Sequence, residues 1–210
     1  MSANLPSILN LIETIQAYFL KRTVADDPAG REAARVLALL EPLPLLEGRF
    51  SRSQHPSIRH LDAALIAGSH ATAGLLDAIR PVALDLPWRY SYATRDDAPG
   101  LEHNMAFAEI IGPEAPFKSE KVCLGITLIG PNTLYPSHVH PAIELYYVAA
   151  GTATWIANGV SSLNSPGAFI LHPPEVVHAM QTRQDPLLAV YSWSGADVKT
   201  LSAYTPITTP

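Results

Sequence analysis

The chain has 210 residues, with 14 Lys+Arg against 19 Asp+Glu, a net charge of -5, 8 His and a single Cys. Hydrophobic residues make up 48% and charged residues only 16%, enough for a sizeable core and the opposite of a disordered composition. The acidic balance argues against nucleic-acid partners, one Cys excludes an internal disulfide framework, and no apolar run nears the roughly 18 residues that span a bilayer.

The opening MSANLPSILNLIETIQ lacks a basic n-region and carries Glu13, so the expected location is cytoplasmic. Ile8, Leu11, Ile12, Ile15 and Phe19 fall on one face of a first helix. A second begins at Asp27-Pro28, a carboxylate cap before a proline in the first turn, and Pro42 and Pro44 end it. A third is expected from about His55-Pro56 to Pro81, although Gly68, Thr72 and Gly74 thin its apolar stripe and argue against one unbroken rod. From about residue 86 the period changes to 2. WRYSYAT, HNMAFAEIIG, KVCLGITLIG, IELYYVAAG, TATWIANG, GAFILH and PLLAVYSWSG read as strands of a barrel or sandwich, with many of the prolines between them. The expected organisation is a helical region over 1-83 packed on a β-barrel over 84-210.

Two stretches carry chemistry. In Tyr135-Pro-Ser-His138-Val-His140-Pro-Ala-Ile-Glu144-Leu-Tyr146, the two histidines share a strand face, and Glu144 follows a proline bend that returns a carboxylate towards them. Tyr146, two residues beyond Glu144, is expected on the same side, and Tyr147 on the other. In Gly167-Ala-Phe-Ile-Leu-His-Pro173-Pro174-Glu175-Val-Val-His178, a proline turn precedes another histidine. Imidazole and carboxylate together suit a divalent first-row ion such as zinc, iron, manganese or nickel. His172 reads as a rim or core residue.

These stretches resemble the paired motifs of the cupin superfamily, G-x5-H-x-H-x3,4-E-x6-G and G-x5-P-x-G-x2-H-x3-N. Gly130 lies two residues upstream of the first pattern's glycine, while Glu175 and Thr182 replace a glycine and the asparagine of the second. The resemblance implies a mainly β fold, a cupin double-stranded β-helix (jelly-roll) with an N-terminal α-helical cap, and a metal held by His138, His140, Glu144 and His178. Within that superfamily the string GITLIGPNTLYPSHVHPAIELYYV is similar to Q-type dimethylsulfoniopropionate lyases of marine bacteria. This implies a carbon-sulfur lyase that binds one divalent transition metal ion (zinc, iron or manganese) and releases dimethyl sulfide and acrylate, with Tyr146 as general base and Tyr135 assisting.

Elimination next to a carboxylate builds a second negative charge, which a Lewis-acidic ion offsets. The substrate's sulfonium offers no hydrogen-bond donor, so aromatic faces would hold it. Tyr135, Trp155, Trp193, Tyr191 and Tyr204 are the candidates for that role, with Trp193 and Tyr204 the preferred pair and Tyr135 also expected to bind the substrate. The expected partner is a small zwitterion, and the protein a monomer or homodimer. An iron-dependent cupin dioxygenase and a non-catalytic binding cupin are the alternatives.

Overall fold

The structure, a computed structural model, describes residues 5–205. Helix α1 (Leu5–Arg22) buries Ile8, Leu11, Ile12, Ile15 and Phe19, the residues on its predicted apolar face. Helix α2 (Pro28–Leu39) is capped by Asp27, whose carboxylate accepts from Gly30 N at 2.9 Å. The third helical segment is broken. A 3-10 turn (Pro56–His60) leads into α3 (Leu61–Ile66), and a second (His70–Thr72) into α4 (Ala73–Ile79). The break falls where Gly68 pairs with Ala150 of the barrel and Gly151 N donates to Ala67 O. A Cβ on Gly68 would lie 2.2 Å from Leu76 Cδ1, so a larger residue there would have to push that side chain aside. Among the described residues no helix is long and apolar enough to cross a membrane.

A short helix α5 (Leu101–Asn104) aside, the rest is strand: β1 (Trp88–Arg89), β2 (Met105–Gly112), β3 (Phe117–Lys118), β4 (Val122–Ile129), β5 (Leu134–Val139), β6 (Ile143–Ala150), β7 (Ala153–Ala157), β8 (Val160–Asn164), β9 (Phe169–His172), β10 (His178–Thr182), β11 (Leu187–Ser194) and β12 (Ala203–Tyr204). One sheet runs β1-β2-β4-β11-β6-β9, with β3 added to β2; the other runs β12-β5-β10-β7-β8. Two antiparallel sheets with their inner faces together make the cupin barrel.

Alternation along the strands sorts side chains into two cores. Tyr147, Leu145, Ala149, Leu188 and Val190 face outward and merge with the helices into one cluster. Tyr146, Val148, Tyr191, Trp155 and Tyr135 face inward. The helices therefore cover the back of the larger sheet. Tyr147 packs on Tyr18 and Phe169, at ring centroid distances of 5.3 and 4.6 Å, on the side away from Tyr146 as expected.

The two substitutions in the second motif have local answers. Glu175 takes the left-handed conformation, φ 61°, that the motif glycine would adopt without strain, and its N–H donates to His140 O at 3.0 Å. Thr182 Oγ1 donates to Gly130 O at 2.7 Å and accepts from Thr133 N at 2.8 Å, tying β10 to the turn before β5.

Candidate metal centre and active site

His140 follows the last residue of β5, Glu144 is second in β6, and His178 opens β10. The proline bend between the first two brings them together as the spacing predicts. His140 Nε2 and His178 Nε2 lie 3.0 and 3.1 Å from the same carboxylate oxygen, Glu144 Oε2. All three side chains are buried, with their ligand atoms within 4.8 Å of one another. Each imidazole is anchored from behind: His140 Nδ1 sits 3.0 Å from Ala142 O and His178 Nδ1 2.8 Å from Val176 O. A carbonyl only accepts, so each Nδ1 carries the proton, and in the neutral ring Nε2 is a bare lone pair. With both rings neutral, two lone pairs converge on an anionic oxygen; a proton on His140 Nε2 would instead be donated to Glu144, while His178 Nε2 makes no hydrogen bond. Such an arrangement calls for a cation at its centre. Two imidazoles and a carboxylate fit a first-row divalent ion with positions left open.

Glu144 is held from its other side. Trp193, its cross-strand neighbour on β11, donates Nε1–H to Oε1 at 2.7 Å and lies over the His140 ring at a centroid distance of 4.4 Å. Burial alone would raise the Glu144 carboxyl, yet His140 and His178 outweigh it and hold its pKa well below the usual range. Burial alone would lower His140, and the Glu144 charge instead raises it.

The structure gathers three of the four expected ligands. His138 is buried in the same chamber, but its ring stacks on Tyr135 at 3.9 Å, meets His178 edge-on at 4.0 Å, and stands outside the close group. Its Nδ1 is anchored on Pro136 O at 2.8 Å. Burial, then the proximity of His178, lowers its pKa well below the imidazole range. His172, paired across strands with Glu144, stacks flat on His178 at 4.1 Å with both ring nitrogens unpartnered. Burial, then His178, brings its pKa down to about 3, so it stays neutral.

A cavity of about 180 Å³ opens beside Glu144, the member of the group that lines it. Glu144, Tyr146, Tyr135, Trp193, Tyr191 and Phe107 line it. Tyr146 is 1% exposed; burial first, then the Glu144 carboxylate, holds its phenol well above the ordinary pKa. Tyr135 donates its hydroxyl to Tyr92 at 3.2 Å. Tyr204 joins the aromatic cluster through its hydroxyl contact with Tyr90 (3.0 Å) but does not line the cavity, and the Arg95 guanidinium sits 4.4 Å from its ring centroid. Trp155 packs beneath Tyr146 at 5.9 Å, also outside the lining. Sequence spacing carried no sign of the Trp193–Glu144 bond, which joins residues 49 apart.

Residues 29–189 match the family model of dimethylsulfoniopropionate (DMSP) lyases. The chain belongs to the DMSP lyase family. It is 35% identical over 144 residues to DddL of Cereibacter sphaeroides, which carries a DMSP lyase name; the match covers 68% of this chain but 60% of that protein. With the DMSP lyase DddQ of Ruegeria pomeroyi it shares 29% identity over 136 residues, covering 64% and 67% of the two chains. The solved DddQ structure superposes with a TM-score of 0.81 at 24% identity, covering 99% of this chain and 100% of that one. A second solved DMSP lyase, from work on RdDddP and RnDddQII, gives 0.80 at 25% identity over 96% and 98%. The fold is therefore that of these DMSP lyases throughout, helical region included.

Proposed function

We propose that this chain is a metal-dependent carbon-sulfur lyase of the Q type that cleaves DMSP to dimethyl sulfide and acrylate, with residues 84-210 forming the catalytic barrel and 1-83 its cap. The observation that carries the reading is the convergence of two carbonyl-anchored imidazoles on one oxygen of Glu144, beside an inward-facing tyrosine. The 29% identity to DddQ, over 67% of that protein against 60% of DddL, supports the Q type.

His140, Glu144 and His178 would hold the ion, with His138 beside them shaping the wall between His178 and Tyr135. When bound, the ion supplies Lewis-acid stabilisation to a carboxylate gaining a second negative charge, and its field favours the phenolate of Tyr146. Tyr146 takes the α-proton. The freed pair closes the Cα–Cβ double bond, the Cβ–S bond breaks, and sulfur leaves with its electrons as neutral dimethyl sulfide. The proton passes from the tyrosine to solvent. Tyr135, hydrogen-bonded to Tyr92 and stacked on His138, keeps the chamber wall in place, and burial of the site keeps water from the developing carbanion.

The test is dimethyl sulfide release by headspace chromatography from the metal-loaded protein, with metal content measured alongside. Tyr146→Phe should lower turnover by about 10²–10⁴-fold, the usual worth of a general base, at unchanged metal content. Full activity in the Phe variant would remove Tyr146 as base, and no dimethyl sulfide at any metal loading would refute the lyase.

A further inference from the structure

We propose that the cationic end of the substrate is received by the ring of Tyr191, laid back over Gly125 and walled by Phe107 and Tyr92; this rests on the DMSP reading above and names the part of the site that selects for positive charge. Tyr191 is the direct cross-strand neighbour of Tyr146. Adjacent strands lie about 4.7–4.9 Å apart, and three single bonds separate the carboxylate carbon of a β-sulfonio acid from its sulfur by roughly 4 Å. A substrate whose carboxylate sits at the His140–Glu144–His178 group, with its α-carbon at Tyr146, has its charged end within reach of Tyr191 one strand away.

Gly125 makes that surface available. It is the neighbour of Tyr191 on the other side, in β4. A Cβ there would lie 2.6 Å from Cε1 and 2.7 Å from Cζ of Tyr191, so the ring rests on bare backbone. A side chain at 125 would press on that ring and equally on the backbone, its Cβ lying 2.6 Å from Ala108 O. Phe107 meets Tyr191 edge-on (6.1 Å, 82°) and Tyr92 meets Phe107 in the same way (5.8 Å, 79°). All three rings line the cavity. Glu109, Glu114 and Glu120 stand at its wall against Arg89 and Lys199, leaving the balance negative even before Glu144 is counted.

The two aromatics expected to hold the sulfonium are committed elsewhere. The Trp193 indole N–H is taken by Glu144 and its ring lies on His140. The Tyr204 ring already carries Arg95 and lies outside the cavity lining.

The experiment compares two ligands of one shape, the zwitterion 3-(trimethylammonio)propionate and its carbon isostere 4,4-dimethylpentanoate, whose tert-butyl end is uncharged, by calorimetric titration of the metal-loaded protein. The wild type should prefer the cation by about tenfold or more, the scale of a desolvated cation–π contact. Tyr191→Phe keeps the ring and should keep the ratio. Tyr191→Leu should bring it close to one while 4,4-dimethylpentanoate still binds. If Tyr191→Leu does not fold, Phe107→Leu should lower the same ratio severalfold. An unchanged ratio in the Leu variants, or no preference in the wild type, overturns the assignment. The binding ratio needs no turnover, so a preference for the cation without dimethyl sulfide release would refute the lyase and leave this subsite standing.

Discussion

Replacing Trp193 with Phe separates two things the indole does. The ring stays against His140, while the N–H that Glu144 Oε1 accepts at 2.7 Å is lost. Glu144 is 2% exposed, so water cannot readily replace the donor. A hydrogen bond to a charged group contributes about 1.5–3 kcal/mol. At about 1.4 kcal/mol per tenfold, metal affinity should weaken by roughly 10–100-fold, the range usual when a residue orienting a ligand is removed. The assay is a titration of the chelator-stripped protein with zinc against a chromophoric chelator, repeated with manganese. Circular dichroism would confirm that the variant folds, and Trp193→Leu would show what losing the stacking adds. If the Phe variant bound both ions within threefold of wild type, the indole would not be what holds the carboxylate.

The raised pKa of His140 fixes a direction with pH. A folded pKa above the unfolded value stabilises the metal-free protein fully below the unfolded pKa, and that contribution is lost as pH rises through the folded one. A metal must displace the same proton, so its affinity should instead rise with pH over that interval and level off above it, by chelator competition; affinity flat across the interval would refute the coupling. Ser194→Ala should cost about 1–3 kcal/mol in urea unfolding, because the buried Ser194 hydroxyl bonds Glu32 and accepts from Arg35 Nη2 at 2.5 Å, joining α2 to the end of β11; an unchanged midpoint would count against that link. Glu175→Gly should stabilise by about 0.5–1 kcal/mol, the relief of left-handed strain less the added chain entropy of glycine. A loss of stability there would mean that the Glu175 side chain contributes more than its backbone strain costs.

What could be read from the sequence was what burial periodicity writes into it. The residues of α1 that repeat at helical spacing are its buried ones, and Asp27-Pro28 marks the start of α2 chemically. Strands with one apolar face were legible for the same reason. Strand β8 was not, because Val160–Asn164 lies exposed except at its last residue and so has no alternation to read. Strands β5 and β10 were visible only as parts of the motifs, since prolines, histidines and short polar residues mask their pattern. The third helix broke because Gly68 is claimed by the barrel, a tertiary contact that local propensity does not contain.

The same distinction explains the site. Spacing that stays within one turn, His140 to Glu144, was informative because a short chain leaves little choice of geometry. The rule that residues two apart share a face served less well for His138 and His140. Strand β5 ends at Val139, so the chain leaves its pleat between them: His138 remains in register opposite His178, while His140 swings to Glu144. The residues that tune the group, Trp193 against Glu144 and Tyr191 over Gly125, meet across strands far apart in sequence. Their identities carry no local signal, since an aromatic in a strand is ordinary core until its register is known. A paired register, Trp193 opposite Glu144 and Tyr191 opposite Tyr146, turns two unremarkable aromatics of one strand into a donor for the metal ligand and a wall for the substrate's charge. Strand β11 thus acts as the second half of the active site, and shifting its register by one residue would turn both side chains away from the cavity at once.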